Sequence, residues 1–345
     1  MNALDANLRF VPDPPGVEAL ISPLVPPPTP PASTDSPGPR IGLALSSGGA
    51  KGLAHIGVIQ VLEENGIKVD VVAGCSMGAY IAAIWAHGFD GQQLEKLARE
   101  LEGRWGPLHL IDPVFPPRQG FIRGIAVKNR LKKSIGDAQF SDLKRPLRVV
   151  ATNLKTLQRV VFANGDVASA VHASVAIPGV CVPVWIEDEY YIDGGITDPM
   201  PSDVLREMGI EHIIAVNTIP TPAYMECSLE MEREQRELRH KRPGIFKLLN
   251  RHLNYFARGN ILSNLINSFY GAQMSIAEAG CRQADVVLRP LARDAYWHDF
   301  GRPGKYIALG RRAALEHLAE IKALVQGKDS SHEPTPALNT MANAA

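Results

Sequence analysis

Apolar and polar positions along this chain alternate between two periods. Ile41-Gly42-Leu43-Ala44-Leu45 is a short unbroken apolar run, the mark of a strand buried on both faces. After a glycine-rich loop at 46–52, Leu53, Ile56, Ile59 and Leu62 recur every three residues, predicting a helix that Gly66 ends. Val69-Asp70-Val71-Val72-Ala73 reads as a second strand, and the apolar-rich segment from Ala79 to His87 as a second helix. Strand-helix-strand-helix order implies parallel pairing through right-handed crossovers. Further strands are predicted at 147–152, 159–162, 190–192, 213–217 and 285–289, while 226–280 reads as helical, charge-rich at first and then mixed. The pattern predicts an α/β fold: three α/β/α layers over 40–326 around a mainly parallel central sheet, with a helical C-terminal extension.

The two ends lack such periodicity. Residues 1–39 hold eleven of the 27 prolines, which remove donors and block helix, so they predict a disordered or polyproline-II leader. Residues 327–345 read as a disordered polar tail. The N-terminus has neither the basic nor the apolar region of a signal peptide, and no stretch approaches ~18 uninterrupted apolar residues. A cytoplasmic location is expected, compatible with peripheral contact at the inner membrane face. Composition narrows the classes further. Hydrophobic and charged shares of 45% and 21% are those of a globular protein. Lys+Arg and Asp+Glu balance at 36 each, which lends nothing to nucleic-acid binding. Cys75, Cys181, Cys227 and Cys281 form no C-x-x-C pair, so neither a zinc site nor a disulfide framework is expected. No metal or cofactor is expected.

Three motifs carry the chemistry. Gly74-Cys75-Ser76-Met77-Gly78 falls at the second strand-helix junction, where a serine is raised above the sheet at the positive end of a helix dipole. The string alone arises readily by chance; its place at the junction is what points to a nucleophile. Cys75 beside it points elsewhere on so tight a bend. Gly48-Gly49-Ala50-Lys51-Gly52 follows the first strand and opens a helix, so its backbone N–H groups form an anion-binding nest. A nucleotide P-loop requires Ser or Thr after the lysine, where Gly52 stands, and a dinucleotide fingerprint requires an acid after the second strand. An oxyanion hole built from Gly48, Gly49 and Ala50 fits better beside a nucleophile. Asp193-Gly194-Gly195 follows a predicted strand and supplies a candidate base, although Asp-Gly is also a common turn signal.

In the order and spacing of these motifs, the chain resembles the bacterial patatin-like phospholipases, relatives of neuropathy-target-type esterase catalytic domains. The likeness covers about 41–221 and includes Ala173-Ser174-Val175-Ala176-Ile177-Pro178. It implies a patatin-like catalytic domain at 40–221, a mainly helical part at 222–326 packing on it, and a lipid ester substrate. It also implies a Ser-Asp dyad: Ser76 as nucleophile, Asp193 as base, and the motif glycines Gly52, Gly74, Gly78, Gly194 and Gly195 shaping the turns. Ser47 departs from the family's loop, which often begins with a third glycine. Lys51 is left between an anionic head-group contact and a surface lysine at a helix start. His55 is read as structural.

The apolar, proline-broken stretch 105–117 is either a lid or lip over an acyl pocket or a loop packed on the domain. The amphipathic stretch 245–269 reads as helix packing or a dimer face, with contact at a lipid surface as the alternative, and the charge run 230–242 reads as a solvated helix. Two rivals stand beside the dyad. One is an α/β-hydrolase triad using His212, His240, His252 or His298; the other is a regulatory protein that kept the fold without catalysis.

Overall fold

The computed structural model describes residues 40–103, 105–221, 224, 261–292 and 295–326, with backbone alone at 261–267. Its strands are β1 (Ile41–Leu45), β2 (Val71–Cys75), β3 (Leu147–Asn153), β4 (Arg159–Phe162), β5 (Val184–Ile186), β6 (Glu189–Asp193), β7 (His212–Val216) and β8 (Val286–Leu288). Its helices are α1 (Ala54–Glu64), α2 (Met77–His87), α3 (Gly91–Arg99), α4 (Ile125–Ile135), α5 (Val167–Ser174), α6 (Ser202–Glu207), α7 (Ile261–Cys281), α8 (Pro303–Glu316) and α9 (Leu318–Val325). The expected leader, tail, charge run 230–242 and most of the stretch 245–269 lie outside the described residues.

The strands form one sheet in the order β5-β6-β3-β2-β1-β7-β8, with β4 also on β3. The β1–β2, β1–β7, β2–β3 and β7–β8 pairs are parallel; β3–β4, β3–β6 and β5–β6 are antiparallel. Successive side chains on a strand face opposite ways, and the two faces bury different helices. Leu43, Leu45, Val72 and Val216 pack with α1, α2, α8 and α9, whereas Ala44, Ala73, Val150 and Ala215 pack with Val204 and Leu205 of α6 and Ala277 of α7. That is the three-layer α/β/α architecture, its central sheet mainly parallel. The C-terminal part does more than extend it. β8 joins the sheet beside β7, and α8 lies so close to α1 that a Cβ at Gly57 would come within 2.0 Å of Ile307 O.

Two local differences from the sequence pattern matter for the site. β2 runs two residues further than its apolar core, to Cys75, because Gly74 and Cys75 hold register with Val149 and Val150 of β3. β5 lacks a sequence signal: its hairpin to β6 turns on Glu187 and Asp188, both at positive φ, rather than on an Asn-Gly pair.

Candidate active site

Ser76 sits between β2 and α2 with φ 54° and ψ −121°, a conformation that costs a non-glycine residue about 1–3 kcal/mol. The flanking glycines permit the bend for separate reasons. A Cβ at Gly74 would fall 2.6 Å from Ala79 N, and one at Gly78 would fall 2.2 Å from Leu45 O. The elbow is held by a residue from elsewhere in the chain. Ser76 N donates to Ser174 Oγ at 2.8 Å, and Ser174 Oγ donates to Val150 O at 2.6 Å. Ser174, at the end of α5, thus ties the strained residue to β3.

Asp193 arrives by a different route. On β3, Val149 and Val150 pair with both β2 and β4, so those strands take opposite edges. Ala151 and Thr152 pair with both β4 and β6, so β6 shares the edge of β2. The two strands run in opposite directions and meet end to end, Cys75 opposite Val150 and Asp193 opposite Ala151. The residue after β2 and the last residue of β6 are therefore neighbours, although 117 positions apart. Ser76 Oγ donates to Asp193 Oδ2 at 2.6 Å, and Gly195 N donates to Asp193 Oδ1 at 2.7 Å. Burial raises the Asp193 pKa to about 6 against the opposing pull of these two hydrogen bonds. At neutral pH the carboxylate is ionised yet basic enough to accept a proton.

The glycine loop follows β1 as a short 3-10 turn, Gly49–Leu53. Its floor is fixed by Thr218, whose N donates to Ser46 Oγ and whose hydroxyl donates to Ser47 O, each at 2.9 Å. The Gly48 and Gly49 N–H groups have no acceptor among the described residues. Ala50 differs from expectation: its N–H donates to Trp297 O at 2.7 Å, so that donor is engaged. The same carbonyl lies 2.4 Å from where a Cβ of Gly49 would stand.

Ser76 and Gly49 open onto a cavity of about 870 Å³ with largely apolar walls. Met77, Tyr80, Ile81 and Ile84 of α2 line it, so it reaches about 12 Å along that helix from Ser76. Leu94, Leu97 and Ala98 of α3 form another wall. Pro107, Leu110, Ile111, Pro113, Val114 and Phe115 place the stretch 105–117 over the cavity rather than in the core. Phe115 is 96% exposed at its crest.

The remaining candidates are placed as follows. Lys51 is buried, with Nζ 5.0 Å from the Tyr270 ring centre, and burial lowers its pKa to about 8. It does not line that cavity, so it is neither a surface lysine nor a head-group contact in this arrangement. Cys75 is fully buried, and burial holds its thiol in the protonated form. His55 is buried, bonds Ser46 O at 2.9 Å and is held neutral, its pKa lowered to about 4 by desolvation. His212 begins β7 opposite Ile41, at the other end of the strands from Ser76. His298 lines the cavity but bonds neither Ser76 nor Asp193; His240 and His252 lie outside the described residues. No cluster able to hold a metal ion occurs among the described residues, and no helix among them is long and apolar enough to cross a membrane.

Sequence reasoning missed two contributors. Ser174 lay within a stretch already singled out, without a role. The Trp297 carbonyl gave no signal, because a backbone oxygen has none in sequence.

The features together define an α/β/α protein with a serine-aspartate pair at the carboxyl edge of a parallel sheet. Within that class, residues 43–206 match the family described as Patatin-like phospholipase. It is 37% identical over 182 residues to an uncharacterized NTE family protein of Mycobacterium tuberculosis, covering 53% of this chain and 50% of that one. It is 32% identical over 182 residues to Lysophospholipase nte1 of Aspergillus fumigatus, covering 52% of this chain and 12% of the relative. The matched stretch thus spans half or less of each of these relatives. The crystal structure of VipD from Legionella pneumophila aligns over 82% of this chain and 67% of its own, with 16% identity and a TM-score of 0.43.

Proposed function

We propose that this protein hydrolyses lipid acyl esters of the phospholipase A or lysophospholipase type, using Ser76 as nucleophile and Asp193 as its base. The observation that carries the reading is the 2.6 Å hydrogen bond from a strained, cavity-facing Ser76 hydroxyl to a buried carboxylate whose pKa is raised to about 6. Ser76 Oγ attacks the ester carbonyl carbon while its proton passes to Asp193 Oδ2. Charge developing on the carbonyl oxygen is met by the Gly48 and Gly49 N–H groups. Collapse breaks the ester bond; the departing alkoxide takes the proton from Asp193, leaving an acyl-serine. Asp193 then deprotonates a water molecule that attacks the acyl carbon, and Ser76 leaves with the proton. The apolar cavity accepts the acyl chain, and the family match supports a lipid as its source.

A fluorophosphonate probe, with a series of esters from p-nitrophenyl acetate to lysophospholipid and diacyl phospholipid, tests this on wild type and Ser76→Ala. Wild type is expected to label and turn over, with preference rising with acyl length; Ser76→Ala is expected to do neither. Equal turnover by the two would refute the nucleophile, and absence of labelling in both would favour a regulatory protein on this fold.

A further inference from the structure

A second concavity, of about 740 Å³, lies across the 113–118 loop from the apolar cavity; Val114 and His172 line both. Its walls carry Arg118, Arg123, Lys128 and Lys132, and no carboxylate lines it. Lys132 pairs with Asp137, and Lys128 donates to Ser169 Oγ at 2.8 Å. Arg118 and Arg123 are exposed and have no carboxylate partner among the described residues. In a chain whose basic and acidic residues balance at 36 each, this concentration of cations is local.

The apolar groups around it are as unusual. Phe115 at 96% exposure crowns the rim between the two cavities, and Trp185 (55%) and Ile125 (43%) stand on the walls of the cationic one. Trp105, Leu108 and Ile111 extend the exposed apolar strip along the same stretch of chain. Exposed aromatic side chains beside arginines and lysines match a layer of phosphate groups above hydrocarbon: the rings enter the interface and the cations meet the phosphates. A phosphopeptide would use the cations but leave Phe115 and Trp185 in water.

We propose that this rim and groove form a docking surface for an anionic lipid bilayer, with Phe115 inserted and Arg118, Arg123, Lys128 and Lys132 on the phosphates, so that the mouth of the acyl cavity faces the membrane. The proposal rests on the lipid-ester reading for its purpose, but its test does not depend on turnover. Binding of the full chain is measured by co-sedimentation with vesicles of phosphatidylcholine alone and of phosphatidylcholine mixed with phosphatidylserine. The expected result is preference for the anionic vesicles, weakening with salt. Arg118→Gln with Arg123→Gln is expected to lower that binding by at least tenfold, at roughly fivefold per cation. Phe115→Ser is expected to weaken binding to both vesicles.

Hydrolysis of p-nitrophenyl acetate by the double arginine variant is expected to match wild type, which verifies its folding. Equal binding to neutral and anionic vesicles, or an unchanged double variant, would overturn the proposal. So would binding to heparin with vesicles ignored. Vesicle binding by a chain that hydrolyses no ester would leave the docking surface standing and sink the enzyme reading instead.

Discussion

Asp193→Asn separates the base role from stability. The carboxyl is fully buried, and its pKa rises from the ordinary 3.8 to about 6 on folding. The folded protein therefore holds this proton between pH 4 and 6 while the unfolded chain releases it, so stability falls as pH rises through that window. Two pKa units correspond to about 3 kcal/mol, which the ionised carboxylate costs the fold at pH 7 and above. Asparagine keeps the shape: its carbonyl oxygen accepts the Gly195 N–H and its amide faces Ser76 Oγ.

The variant is expected to lose activity by about 10²–10⁴-fold and to gain up to about 3 kcal/mol of stability at pH 8. The gain shrinks towards zero as pH approaches 4. Urea unfolding at pH 8, 6.5 and 5, with kcat/KM of wild type across the same range, measures both. Wild-type kcat/KM is expected to fall on the acid side with a midpoint near 6. An acid limb centred near 4, or a variant no more stable than wild type at pH 8, would refute the assignment of a desolvated base. A variant retaining a tenth of wild-type activity would refute the base role itself.

Three further outcomes are expected. Ser174→Ala leaves the buried Ser76 N–H without its acceptor, costing about 1–3 kcal/mol, and lowers kcat with KM little changed; steady-state kinetics on a soluble ester separate the two parameters. Ser47→Ala removes a hydroxyl buried without a hydrogen-bond partner among the described residues and raises stability by up to about 1–2 kcal/mol, read as a higher urea midpoint. Ile84→Trp fills the cavity about two helical turns from Ser76 and shifts preference to shorter chains; each excluded methylene costs about 0.8 kcal/mol, visible in kcat/KM across an ester series.

The alternation of short apolar runs with three-residue spacing made β1, α1, β3, β4 and β7 legible within a residue or two, because each buries a side set by its own local period. β5 was not legible, since Glu187 and Asp188 make its turn without the residues that advertise one. Ser76 and Asp193 stood out through glycine neighbours required by close backbone approach, at Gly74 and Gly78 to α2 and β1, and at Gly194 to Val150 O. What stayed hidden is long-range and has a backbone group on at least one side. The Trp297 carbonyl reaches Ala50 across 247 positions, and the Ser174 hydroxyl reaches Ser76 across 98. No local pattern encodes either contact.

The end-to-end meeting of β2 and β6 on one edge of β3 makes that single strand a ruler. The reach from alcohol to carboxylate is set by the spacing of two successive residues, Val150 and Ala151, about 3.3 Å along the strand. Twisting the whole sheet carries both partners together and leaves the gap unchanged. Adding or deleting one residue at that point would part them by a strand step and turn the facing side chains over. Remodelling of the distant helices is tolerable to the chemistry in a way that an insertion in β3 is not.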